Sequence, residues 1–260
     1  MKIQDFIDTI EKWSPPSQAE DFDNVGLLVG DSSVDLKGVI ISLDTTEEVL
    51  NEAIAKNCNL IISFHPIIFK GLKKITANSY VEKIVIKSIL NKISIYSIHT
   101  SLDNHEKGVN YKISEKIGLE KSQILIPKKE NKLLGMGRIG ELKTPMEENK
   151  FLEFIKNRMK SGFLRHSKLL NKKIRKVAVL GGSGSFAIQD AIEQHAEVFL
   201  TADLKYHNFF EANDEIVLID IGHYESEQFT KNLIHDYLQK KFPNFAIVLA
   251  NTNTNPVKYF

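Results

Sequence analysis

LIISFHPIIF, Leu60–Phe69, is the stretch that decides the fold. It opens as a short apolar run without polar alternation, the pattern of a strand buried on both faces of a parallel sheet. His65 stands at the carboxyl end of that run, and Pro66 turns the chain out of the strand. Similar runs recur at 39–43, 93–98, 177–180, 198–200, 216–219 and 245–249. Helical patterns lie between them, at 47–56, 80–92, 147–160, 185–194 and 227–240. Strand–helix alternation predicts an α/β protein with mostly parallel sheets.

The segment before the first strand is an amphipathic helix. Ile3, Phe6, Ile7, Ile10 and Trp13 recur at helical spacing among charged residues, and Pro15–Pro16 ends the pattern. Further on, Gly135, Gly137 and Gly140 lie between Pro127 and Pro145 and mark a change of substructure. The expectation is two linked α/β halves, 1–126 and 127–260, with the C-terminal segment free to return to the first. Both halves run strand–helix–strand, so a duplicated architecture is one reading.

Composition excludes several classes. Of 260 residues, 42% are hydrophobic and 26% charged, ordinary for a globular chain. Lys+Arg number 34 against 33 Asp+Glu, so global charge favours neither nucleic acid nor membrane. Cys58 is the single cysteine, which rules out an internal disulfide and a thiolate-rich zinc site; it reads as a small buried side chain. No apolar run approaches the roughly 20 residues of a membrane span. A cytoplasmic location is the expectation.

Polar residues gather where the strands end. Asp44, His65, His99 with Asp103, Asp203 with His207, and His223 with Glu227 all follow such runs. Open α/β sheets bind ligands at the carboxyl ends of their strands. The imidazole and carboxylate donors suit Zn, Fe, Mn or Ni without choosing among them. A lone strand-end histidine is usually only a hydrogen-bonded loop residue, and a helical His-x-x-x-Glu pair is more often a surface pair. The convergence of several such ends is what favours a metal. His105, His166, His195 and His235 read as surface residues.

Two further features carry bland readings beside sharp ones. GGSGSF, 181–186, follows a strand and opens a helical pattern, with Asp203 about 20 residues on, as in a dinucleotide fingerprint. It also fits an anion-binding turn, or merely a tight turn needing positive φ. The basic run from Lys156 to Lys176 holds no acid. It reads as a solvated face rather than a nucleic-acid surface, because aromatic residues for base stacking are scarce.

The motifs FDNVGLLVG, SFHPIIF, IHTSLDN, GGSGSF, LTADLKYH and GHYESE, in that order, resemble the GTP cyclohydrolase 1 type 2 homologue family, Nif-three-like and YbgI-type. The resemblance spans about 20–256. It implies two α/β domains with a dinuclear metal centre in the cleft between them and assembly as a toroidal homohexamer. It also implies metal ligands at His65, Asp103, His223 and Glu227, with His99 beside the metals. Phe64 departs from the pattern: it stands where the family has the first of two adjacent histidines, and phenylalanine offers no lone pair.

The functional expectation is a metal-dependent hydrolase acting on a nucleotide or related phosphorylated compound, with one or two divalent ions per chain. His99 and His207 are the expected proton carriers, since imidazole titrates near neutral pH. The alternative is a metal-binding or regulatory hexamer without turnover. A dinucleotide-dependent enzyme, resting on Gly182 alone, is the third class.

Overall fold

The computed structural model describes residues 1–259. The chain begins with α1 (Ile3–Trp13), β1 (Gly26–Val29), β2 (Val39–Ser42), α2 (Glu47–Ala55), β3 (Leu60–Ser63), α3 (Tyr80–Leu90), β4 (Ser94–Ser97), α4 (His99–Asp103) and α5 (Val109–Ile117). It continues through β5 (Leu119–Pro127), β6 (Gly135–Glu147), α6 (Glu148–Arg158), β7 (Arg165–His166), β8 (Lys173–Ser183), α7 (Ile188–Glu193), β9 (Val198–Ala202), β10 (Val217–Asp220), α8 (His223–Glu227), α9 (Thr230–Lys241) and β11 (Ile247–Leu249). The strand at 60–63 is where the first motif places it, and His65 lies just past its end.

These elements form two compact units: Met1–Leu102 with the chain from Thr230, and Asp103–Phe229. The division therefore falls within α4 and not at 126/127. The glycine-rich segment that marked the expected boundary is the inside of a β-ribbon: β5 pairs antiparallel with β6, and Pro127 lies opposite Gly135. Its glycines permit close approach. A Cβ on Gly135 would collide with the Ile126 carbonyl, and Gly137 sits at φ +69.

The first unit carries a five-stranded sheet in the order β1-β4-β3-β2-β11. All its pairings are parallel except β1 with β4. Residues after Thr230 return to this unit, since β11 pairs with β2. On one face Ile40, Ile61 and Ile95 pack with Val49 and Leu50 of α2 and Ile84 and Val85 of α3. On the other, the Tyr96 hydroxyl donates to Glu11 of α1, and Phe6 of α1 stacks on Phe242 just after α9. Each fully buried aliphatic side chain contributes about 1.5–3 kcal/mol. Both faces are covered, so the strands need no polar alternation. Cys58 is buried in this core.

The second unit carries a six-stranded sheet, β5-β6-β8-β9-β10-β7. Only β8–β9 and β9–β10 are parallel among its described pairings; β5–β6, β6–β8 and β10–β7 are antiparallel. This sheet is mixed, not mostly parallel as expected, because the β5–β6 ribbon adds to its edge without a crossover helix. The parallel strands β9 and β10 are the ones whose carboxyl ends carry Asp203 and His223. Among the described residues no helix is long and apolar enough to cross a membrane.

Candidate functional site

In the first unit, adjacent parallel strands bring their carboxyl ends side by side. Ser42 of β2 pairs with Ser63 of β3, and Leu43 accepts the His65 N–H at 2.9 Å. Continued along the same register, Asp44 lies across from His65. The His65 Nδ1 is 2.8 Å from Asp44 Oδ1, and the Thr254 hydroxyl donates to Asp44 Oδ2 at 2.5 Å. A carboxylate beside Nδ1 places the proton there and leaves the lone pair on Nε2.

His99 opens α4 with φ of +26, an uncommon backbone angle for a residue with a side chain. Its Nδ1 is 2.7 Å from Asp23 Oδ1, and the Thr100 N–H and hydroxyl donate to Asp23 Oδ2 at 3.1 and 2.5 Å. Burial works to raise the Asp23 pKa, but the bonds from His99 and Thr100 outweigh it and hold the carboxyl at about 2. The His65 and His99 rings are 5.4 Å apart, centroid to centroid. Phe64 is fully buried beside them, 5.0 Å from the His65 ring and 5.5 Å from the His99 ring. An apolar ring thus occupies the position next to His65.

In the second unit, His223 and Glu227 are the ends of the single-turn helix α8. The His223 Nδ1 is 2.7 Å from Asp203 Oδ2, and its Nε2 is 3.1 Å from Glu227 Oε2. Asp203 sits at φ +57 and also accepts the Ser183 hydroxyl. Burial disfavours a charged His223, yet Glu227 and Asp203 more than compensate, lifting its pKa to about 11. The hydrogen bond from His223 is in turn the main influence that lowers Asp203. Glu227 is only 4% exposed. A metal ion taking Nε2 would displace a proton already there.

GGSGSF is explained by the same helix. Gly181 and Gly182 belong to β8, not to a loop, and Gly182 has φ of +68. A Cβ on Gly182 would collide with the Glu227 carboxylate, and one on Gly184 with the Thr201 hydroxyl. The N–H groups of Gly181 and Gly182 already donate to Asn110 Oδ1 and Ser226 Oγ, both at 2.9 Å. The following helix, α7, spans only Ile188–Glu193. The motif makes room for Glu227, and its first two N–H groups are engaged within the fold.

Of the expected residues, the structure therefore groups His65 with His99 in one unit and His223 with Glu227 in the other. Asp103, the last residue of α4, is 8% exposed, and its carbonyl accepts from Asn110. His207 is exposed on the short helix Tyr206–Ala212, its ring packed against Tyr206 and Phe210 at 5.2 and 6.2 Å. That places it among surface aromatics. His105 accepts the Lys107 N–H at Nδ1, a contact within its own loop. The basic run is partly neutralised by distant acids: Arg165 meets Asp220, Lys168 meets Asp214 and Arg175 meets Glu141. Asp44 and Asp203 stood out in the sequence only as strand-end carboxylates and Asp23 received no role, because each is paired with a histidine far along the chain. A strand-end aspartate some 20 residues before a strand-end histidine is the signal that would have found two of them.

His65, His223 and Glu227 each offer an atom suited to a divalent ion. The comparisons with known proteins agree in one direction. The model of Duf34/NIF3 (NGG1p interacting factor 3) matches residues 1–256. A GTP cyclohydrolase 1 type 2 homolog of Clostridium acetobutylicum is 36% identical, with the match covering 100% of this chain and 99% of that protein. A crystal structure of a Staphylococcus aureus hypothetical protein superposes with a TM-score of 0.92 at 32% identity, covering 100% of this chain and 99% of that one. A Bacillus cereus protein related to NIF3 gives 0.95 at 25% identity, with the same coverage. The sequence motifs, the two-sheet α/β architecture and these likenesses converge: the chain belongs to the Duf34/NIF3 family.

Proposed function

We propose that this protein binds a divalent metal through His65, Asp103, His223 and Glu227 and acts as a metal-dependent hydrolase on a nucleotide or related phosphorylated compound. The observation that carries the reading is the state of the histidines. A carboxylate occupies Nδ1 of both His65 and His223, so Nε2 is the atom a metal would take, in His223 in exchange for the proton it shares with Glu227. The donor set fits Zn, Fe, Mn or Ni: imidazole nitrogen and carboxylate oxygen, without thiolate. Gly182 supports it from below, since only a residue without Cβ leaves room for the buried Glu227 carboxylate.

A bound ion would supply Lewis acidity and lower the pKa of a water molecule. The chain's own residues do the rest. Asp44 and Asp203 hold the ligand rings, and His99, fixed by Asp23, is positioned as a proton carrier. His207, exposed and packed on aromatic rings, is a weaker candidate for that role.

Element analysis of protein purified without added metal, followed by turnover assays on GTP and a phosphoester panel, tests the proposal. Stoichiometric metal with metal-dependent turnover supports it. Absence of metal binding under any loading sinks it.

Phe64 favours a second reading, a metal-binding or regulatory homohexamer without turnover. A fully buried phenylalanine stands where the resembling family has a ligand, and the loss of a ligand is easier to tolerate where no reaction depends on it. Stoichiometric metal with no turnover across the panel selects this reading.

A further inference from the structure

The two units carry the same device. In the first, Asp44 follows β2, and His65 follows the neighbouring parallel strand β3, 21 residues later. In the second, Asp203 follows β9, and His223 follows the neighbouring parallel strand β10, 20 residues later. Both pairs are carboxylate oxygen to Nδ1, at 2.8 and 2.7 Å. Both carboxylates also accept a hydroxyl, from Thr254 in one unit and Ser183 in the other.

The registers show how each pair is made. In the first unit the ladder pairs Ser42 with Ser63, and two steps further Asp44 stands opposite His65. In the second the ladder pairs Thr201 with Asp220, so Asp203 falls opposite Gly222, one short of His223. The backbone absorbs that residue: Gly222 has φ of +89 and Asp203 φ of +57. A non-glycine residue in the left-handed region costs free energy. The pair forms anyway, which marks the contact as what the local backbone is built around. The Asp23–His99 pair has the same chemistry but spans 76 residues and arises from a loop ahead of β1, so it lies outside the repeat.

We infer that Asp44 and Asp203 are equivalent positioning residues, each holding the Nδ1 proton of the histidine on the next strand so that Nε2 is the nitrogen directed to a divalent metal, which in His223 would take the place of the proton shared with Glu227. The inference rests on the metal-binding reading above. An isosteric Asp→Asn change tests it sharply. The amide can donate to Nδ1 where the carboxylate only accepts, and that favours the tautomer whose proton sits on Nε2. The lone pair is then on the wrong nitrogen. Both aspartates are partly exposed, at 34% and 46% of the side chain, so the fold tolerates the change.

The experiment has two parts. Nitrogen-edited proton NMR on metal-free wild-type protein is expected to show slowly exchanging Nδ1 protons for His65 and His223. The His65 signal is lost in Asp44→Asn and the His223 signal in Asp203→Asn. Zinc titration by calorimetry is then expected to give affinity about 10–100-fold weaker in each variant, the usual effect of losing such a partner. Melting temperature and Asp214→Asn, which removes only a surface pair with Lys168, serve as controls. Wild-type zinc affinity in both variants, or a wild-type protein lacking the Nδ1 protons, overturns the inference while leaving metal binding intact. A wild-type protein that binds no zinc overturns the reading beneath it, and the inference with it.

Discussion

At the scale of single residues, Phe64 is the most informative position, because it is both buried and chemically inert toward metals. Its ring centroid lies within 5.5 Å of two imidazoles, so it sets an apolar surface against both. Replacing Phe64 with histidine places a nitrogen donor beside His65. The expected outcome is more metal per chain, rising toward two, measured by element analysis under identical loading of both proteins. A wild type that already holds two ions tightly defeats the vacancy argument and turns attention to His99 as the replacement ligand. Gly182 gives a second test. An alanine there meets the Glu227 carboxylate and a φ of +68 at once. Gly182→Ala should cost roughly 1–3 kcal/mol of stability and weaken metal loading together. A stable variant with normal loading would show that Glu227 has another seat.

At the scale of elements, local pattern was legible and long-range pairing was not. The core strands at 39–42, 60–63, 94–97, 198–202 and 217–220 stand where apolar runs predicted them, because burial on both faces leaves an unbroken signature. The β5–β6 ribbon was missed. Its glycines read as a change of substructure, whereas they sit in strands where neighbouring backbone comes too close for a side chain. His65, His223 and Glu227 could be read from strand ends, but Asp23 could not, since nothing in its neighbourhood announces His99 at a separation of 76. Glu52 of α2 is another such long-range residue. It accepts the backbone N–H groups of Asn251 and Thr252 and the Thr252 hydroxyl, tying the segment after β11 to the first unit. Burial works to raise its pKa, but these bonds and Lys56 hold it at about 2. A depressed carboxylate contributes stability that is complete above its ordinary pKa and fades as pH falls toward the folded value. Thermal unfolding should therefore lose the Glu52 contribution between about pH 4 and pH 2. Glu52→Gln should be less stable than wild type by about 1–3 kcal/mol at pH 7, with the difference shrinking on acidification. A gap that stays constant with pH would remove the linkage argument.

At the scale of the whole molecule, the question is what covers the exposed aromatic surface of the second unit. Tyr206 is 72% exposed, Phe210 68% and Phe186 60%. Tyr206 and Phe210 are 5.5 Å apart, so they form one patch and not scattered residues. Contiguous apolar patches of this kind mark interaction surfaces in soluble proteins. We predict that further copies of the same chain cover it in a closed ring, the homohexamer that the resemblance read from the sequence implies. Light scattering at micromolar concentration should return about six times the 29.5 kDa chain mass. Closed rings assemble through repeated contacts, so one weakened surface is felt at every interface. The double variant Tyr206→Ser, Phe210→Ser should then shift the mass toward smaller species while leaving the circular dichroism spectrum unchanged, since neither side chain belongs to the core. A wild-type monomer at 29.5 kDa would defeat the hexamer outright. A hexamer indifferent to the double variant would keep the ring and move its interface away from these aromatics.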